Sequence, residues 1–246
     1  MSDKTAAFTA LHVPGNPLVL YNIWDAGSAR AVAEAGAKAI ATGSYGVAEA
    51  QGFHDGETLP IEIVLENLRR ILSVTDLPVT IDMEAGYGDT PEEVGVSVGK
   101  AFALGAVGIN MEDRMPGETE LLPISVAAQR YAAAASTGIH VNARTDVYRG
   151  KDPADYSQAL IDDTLERASA YAAAGTKSLF VPFLGDHETI SAICEASPLP
   201  VNILWAPGRG TVAELAELGV ARISYGHGPW AAAMDQLRAA AAQLYA

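Results

Sequence analysis

Eight short β-rich runs alternate with Ala-rich helical stretches from Leu18 to the C-terminus, and this alternation limits the folds open to the chain more than any other feature. The candidate strands lie at 18–24, 39–44, 78–84, 108–113, 139–145, 178–184, 200–206 and 222–228. Between them fall helical patterns such as SARAVAEAG, PIEIVLENLRRILSVT and TPEEVGVSVGKAFALG, and PWAAAMDQLRAAAAQLYA closes the chain. Thr90, followed by Pro91 and Glu93, reads as a helix N-cap with proline in the first turn. Gly36, Gly105, Gly175 and Gly219 stand at the same place in four of the units, where a helix closes on a left-handed residue just before the next strand. Eight βα units at roughly 30-residue spacing predict a single-domain (β/α)8 TIM barrel, α/β in class, with residues 1–17 as an N-terminal cap segment. A doubly wound sheet is the alternative, but it usually carries a phosphate loop after its first strand, and DAGSAR offers one glycine there.

With 246 residues, 49% of them hydrophobic, the chain can bury a sizeable core. Its net charge of -14 repels phosphate backbones and anionic lipid, which argues against nucleic-acid and membrane partners, and it attracts divalent cations. The one cysteine, Cys194, has no partner for an internal disulfide, so a reducing cytoplasm is the expected location. No run reaches the ~18 consecutive apolar residues that a bilayer span needs.

Residues two apart on a strand share a face. At the C-terminal ends of the strands one face carries Asn22 and Trp24, Thr42 and Ser44, Asp82 and Glu84, Asn110 and Glu112, Asn142 and Arg144, and Asn202. In a barrel these positions point inward at the face where barrel enzymes build their sites. Three inward carboxylates, Asp82, Glu84 and Glu112, repel one another unless a cation neutralises them or one takes up a proton. An oxygen-only ligand set favours Mg²⁺, or Mn²⁺, over zinc. Arg144 offers a planar fork for a carboxylate or phosphonate. The plainer alternative is that these acids are solvated loop-edge groups or ion-pair partners of Arg144. No lysine lies near a strand's C-terminal end, so Schiff-base chemistry is disfavoured. His54 and His227 follow strands and are weak candidates; Cys194 lies in the helical run ISAICEAS and reads as a core residue.

The stretches NIWDAGSARAVAEAG, ATGSYGVAEAQGFHDGE, TIDMEAGYGD, GINMEDR, NARTDVY and VNILWAPGRGTVAELAELGVARISYG resemble the isocitrate lyase/phosphoenolpyruvate mutase superfamily over nearly the whole chain. The resemblance implies a Mg²⁺-dependent barrel that makes or breaks C–C or P–C bonds of a small 2-oxo or 2-hydroxy carboxylate through an enolate. It makes Asp82 the principal metal-associated acid, with Glu84 and Glu112 as further metal ligands, directly or through water. It assigns substrate holding to Arg144, to the backbone around Gly43, Ser44 and Tyr45, and to Asn202, with Trp24 on the same face. Asp55 and Glu112 join Arg144 as candidates for the chemistry. Family members commonly form dimers or tetramers, and the final helix either covers its own barrel or swaps between subunits.

Three departures stand out. The family's lyases carry a Lys-Lys/Arg-Cys-Gly-His loop after the fourth strand, whereas EDRMPGETELLPIS has neither cysteine nor histidine. Glu84 replaces the more usual aspartate. Phe183 and Leu204 occupy positions that are often polar in the lyases, which implies a smaller or more apolar substrate than methylisocitrate. The expected activity is therefore an oxaloacetate-type lyase or decarboxylase, or a phosphonopyruvate-type mutase; the alternative is a catalytically inactive barrel that still binds keto acids.

Overall fold

The computed structural model describes residues 3–245. Eight strands form one parallel sheet: β1 (Leu18–Leu20), β2 (Ile40–Ala41), β3 (Val79–Asp82), β4 (Gly108–Glu112), β5 (His140–Arg144), β6 (Ser178–Val181), β7 (Val201–Leu204) and β8 (Arg222–Ser224). Their order, β1-β8-β7-β6-β5-β4-β3-β2, places the first and second strands at the two ends of the row. A parallel bridge between Ile23 and Thr42 joins those ends and closes the barrel. The fold is thus the expected (β/α)8 barrel in one domain, and the doubly wound alternative falls.

Helices α2 (Ala26–Glu34), α4 (Ile61–Leu72), α5 (Pro91–Leu104), α6 (Ile124–Ser136), α7 (Gln158–Ala173), α8 (His187–Ala196) and α9 (Val212–Glu217) lie between the strands, with a short α3 (Ser44–Ala50) directly after β2. Their inward residues, among them Leu68, Val98, Tyr131, Tyr171 and Ile193, are buried against outward-facing strand residues in one apolar layer. Thr90 caps α5 as expected: its side chain accepts the Glu93 amide while Glu93 accepts the amide of Thr90. Gly105 then ends the helix at φ +116, a conformation without steric cost only for glycine.

The strands stop two to four residues before their expected ends, except β4 and β5, which stop one short. At β1 the reason is visible. Asn22 Oδ1 accepts the amides of Tyr225 and Gly226, both at 2.9 Å, and its Nδ2 donates to the Thr42 carbonyl at 2.8 Å. A side chain thus supplements the last backbone bonds, such as the Tyr225 amide to the Leu20 carbonyl at 3.2 Å, while the strands diverge into loops.

Helix α1 (Asp3–Ala10) closes the N-terminal end of the barrel, opposite the mouth. Its Phe8 is fully buried, and His12 stacks on His140, the first residue of β5, with ring centroids 4.4 Å apart. Burial pushes His12 down to about 3 and His140 well below the usual imidazole range, so both rings are neutral. The last helix, α10 (Gly228–Tyr245), buries Pro229 near its start but leaves Leu244 and Tyr245 more than four-fifths exposed.

Candidate active site

Parallel register brings the strand-end residues into rows. Asp82 aligns with Asn110, Asn110 with Asn142, and Glu112 with Arg144. Above them lie two adjoining hollows that share Ser44, Tyr45, Asp55, Arg144 and Arg149. The inner one, about 180 Å³, has Asp82, Asn110 and Ser224 on its polar side and Phe180, Phe183 and Leu204 on its apolar side. The outer one, about 700 Å³, is lined by Glu84, Glu112 and Arg114 and by the loop residues Pro116, Gly117, Glu118 and Thr119.

Arg144 is the most heavily engaged group. Nε and Nη2 donate to the two oxygens of Asp146 at 2.7 and 3.0 Å, and Nη1 lies 2.8 Å from Glu112 Oε2. Burial works against its charge, but Glu112 and Asp146 outweigh it and hold the guanidinium above its ordinary range. Asp146 is nearly inaccessible and also receives Arg114 at 3.2 Å and Arg149 at 3.3 Å. Its backbone amide donates to Asp113, which in turn accepts from Arg167 and the Tyr171 hydroxyl. A buried polar layer thus anchors the arginine from behind. Arg144 and Arg149 both lie over the Phe183 ring, at 5.6 and 5.1 Å from its centroid.

The three acids do not converge on one point. Asp82 is held by the Glu84 amide at 3.2 Å and faces the Ser44 amide at 3.5 Å. Glu84 turns away, accepting the amides of Gly56 and Glu57, both at 2.7 Å, and the Tyr87 hydroxyl at 3.1 Å. Its backbone sits at φ +47, in the left-handed region, at the sharp exit from β3. Glu84 therefore tethers the loop that carries Asp55. Glu112 turns to Arg144. Burial, reinforced by Asp55 and Asp82, lifts Glu84 to about 8. Burial also lifts Glu112 to about 7, with Arg144 opposing and Asp146 and Asp82 adding. Asp82 is raised as well, chiefly by burial.

Gly43, Ser44 and Tyr45 line the inner hollow; the Gly43 amide is spent on the Ile23 carbonyl, and a Cβ at Gly43 would meet the Gly226 carbonyl oxygen at 3.2 Å. Asp55 is exposed on the wall of both hollows. Asn202 is wholly buried, bonded to the Ser224 hydroxyl at 3.2 Å, and lines neither hollow. Trp24 packs against the core and likewise lines neither. His227 lines the inner hollow beside Tyr45, whereas His54 is exposed and lines neither. Burial pushes the Cys194 thiol up to about 12, which fits an inert packing residue.

The sequence profile of the phosphoenolpyruvate phosphomutase family matches residues 8–245. The chain belongs to that family. An uncharacterised protein of Mycobacterium tuberculosis is 36% identical over 232 residues, 93% of this chain and 84% of its own length. Oxaloacetate decarboxylase of Rhodopseudomonas palustris is 32% identical over 176 residues, 69% of this chain but only 60% of that enzyme. Among solved structures, a Burkholderia cenocepacia protein provisionally described as a phosphonomutase superposes with a TM-score of 0.95 at 48% identity, covering 98% of both chains. Phosphonopyruvate hydrolase, in complex with oxalate and Mg²⁺, shares the fold with a TM-score of 0.87 at 23% identity, covering 99% of this chain and 87% of that one.

Within this member of the phosphomutase family, no three His, Cys, Asp or Glu side chains among the described residues are gathered closely enough to cage an ion unaided. The acids that line the hollows nevertheless offer what a hard, water-retaining cation takes, oxygen donors only: Asp82 on the inner hollow, Glu84 and Glu112 on the outer one. Sequence reasoning missed Asp146, Arg114 and Arg149. The RTD and EDR triplets held the signal for the first two, since a charged residue two positions beyond an oppositely charged strand-end residue, Asp146 after Arg144 or Arg114 after Glu112, shares its face.

Proposed function

We propose that the protein is a Mg²⁺-dependent enzyme cleaving a C–C bond of a small 2-oxo or 2-hydroxy carboxylate, of the oxaloacetate decarboxylase type, with P–C chemistry on a phosphonopyruvate-like acid as the next reading. The observation that carries it is the pairing of Asp82 and Arg144 on one small hollow whose opposite wall is apolar. Asp82 would hold the ion directly, with Glu84 and Glu112 acting through water. Bound there, Mg²⁺ supplies electrophilic polarisation of the 2-oxo group.

The chain's own residues then orient and select. Arg144, fixed by Asp146 and Glu112, presents its remaining N–H groups to the substrate carboxylate, and the Ser44 and Tyr45 backbone at the start of α3 lines the same hollow. Held so, the bond to the third carbon stands across the plane of the developing enolate. Phe180, Phe183 and Leu204 exclude water from the leaving side and disfavour a tricarboxylate. Asp55, exposed at the rim, is the group available to move a proton at the third carbon.

A second reading, keto-acid binding without turnover, has one observation behind it: the loop after β4 offers Glu118 and Glu120, both exposed, and no thiol or imidazole. We further propose a cytoplasmic homo-oligomer, dimer or tetramer, in which the exposed end of α10 meets another subunit. Among the described residues no helix is long and apolar enough to cross a membrane.

The test is NMR of the purified protein in MgCl₂ with oxaloacetate, phosphonopyruvate, phosphoenolpyruvate, 2-methylisocitrate and 2,3-dimethylmalate, beside Asp82→Ala. Metal-dependent turnover of one compound, lost in the variant, supports the lyase or mutase reading. Metal-dependent binding of oxalate with no turnover favours the binding protein.

A further inference from the structure

Beneath the inner hollow lies a buried arginine that the reaction outlined above does not use. Arg222 opens β8, has no exposed surface, and forms no ion pair among the described residues. Its Nη2 donates to Asn110 Oδ1 at 3.0 Å and its Nε faces the Ser224 hydroxyl at 3.3 Å. Burial brings the guanidinium down to about 9, against the pull of Asp82, which leaves it charged at neutral pH.

The contact with Asn110 settles that amide's orientation. A guanidinium has donors and no acceptor, so the Asn110 atom facing it is the carbonyl oxygen. Asn142 reaches the same oxygen from the other side: its Nδ2 donates at 2.9 Å, and its own Oδ1 accepts the Ser178 hydroxyl at 2.6 Å. Two donors therefore clamp Asn110 Oδ1, and the N–H₂ end is turned away from both. Asn110 lines the inner hollow, where its Nδ2 has no hydrogen-bond partner among the described residues.

We propose that Asn110 contacts the substrate, donating from its side-chain N–H₂ to an anionic oxygen of the bound acid at the floor of the inner hollow, and that Arg222 is the positioning residue that aims it. This rests on the reading of the hollow as a small-carboxylate site. The recognised chemistry is a carboxylate or enolate oxygen directed down the barrel axis, opposite the end held by Arg144. Arg222 acts twice: its hydrogen bond fixes the amide, and its charge makes the floor favourable to an anion.

Oxalate, titrated calorimetrically into protein in MgCl₂, is the probe. Asn110→Ala weakens oxalate binding about tenfold or more, the scale of a hydrogen bond to a charged group. Asn110→Asp, which pairs with Arg222 and keeps the fold, weakens it further by turning an acceptor toward the anion. Arg222→Met frees the amide to rotate and costs about fivefold; Arg222→Lys, which retains a donor-only cation, recovers most of that. In ¹⁵N spectra the Asn110 side-chain resonances move when oxalate is added to wild type. If wild type binds oxalate and Asn110→Ala binds it equally well, with no movement of those resonances, this inference is overturned while the proposed function stands. If wild type does not bind oxalate, both fall together. Should Arg222→Met fail to fold, the two Asn110 variants and the spectra decide.

Discussion

Glu112 and Arg144 end neighbouring strands directly opposite one another, with Oε2 2.8 Å from Nη1, so the arginine expected to hold a substrate already carries an ion pair of the protein's own. Arg144 also grips Asp146 through two hydrogen bonds. Removing the guanidinium leaves two buried carboxylates short of a partner, whereas Glu112→Gln keeps a hydrogen-bond acceptor in place. We expect Arg144→Met to lower stability by about 3 kcal/mol and Glu112→Gln by about 1 kcal/mol, read from urea unfolding. A smaller loss for Arg144→Met than for Glu112→Gln contradicts this arrangement.

Glu84 at about 8 and Glu112 at about 7 both lie above their ordinary 4.5, with burial the first cause in each. The folded chain therefore holds more protons than the unfolded chain between those limits. Their contribution to stability is fully present below the unfolded value and is lost as pH rises through 7 and 8. The metal-free melting temperature should fall over that window, and Glu84→Gln should flatten the slope. MgCl₂ competes with those protons, so its stabilisation should be larger at about pH 8 than at about pH 5.5. An equal effect at both removes these acids from the metal site.

Glu84 reaches the amides of Gly56 and Glu57 with its full length. Glu84→Asp withdraws the carboxylate by one methylene and breaks both bonds. Hydrogen exchange at those two amides should accelerate by about tenfold or more, with the barrel strands unchanged. Unaltered protection means that another group holds the Asp55 loop.

At the closed end, a Cβ on Gly108 would stand 2.8 Å from the Phe8 ring and 2.9 Å from Thr80 Oγ1. Gly108→Ala should cost about 2 kcal/mol through overpacking, and Phe8→Ala about 3 to 4 kcal/mol through the cavity it leaves. Because removing the ring relieves part of the clash, the double variant should lose less than the two together. Strict additivity in thermal or urea unfolding refutes the contact.

The barrel was legible in the chain because its signals are local and repeated: apolar strands, helical periodicity, a capping threonine and glycines at recurring positions. Strand alternation likewise announced that Asp82, Glu112 and Arg144 share the inward face, since a period of two needs no partner strand to define it. Where those side chains point was decided only by packing. Glu84 lies two residues beyond β3 and is itself left-handed, outside the alternation, and the distant Gly56 and Glu57 amides draw it to the loop. Asn202 keeps the inward face but lies a layer too deep, beneath Leu204, because depth in a barrel depends on the stagger of all eight strands. Arg222 shows the limit most clearly. It opens its strand with no local signal of a partner, and only closure of the barrel buries it against Asn110, 112 positions away. Sequence thus determined which faces the polar groups occupy; the closed sheet alone determined which of them meet.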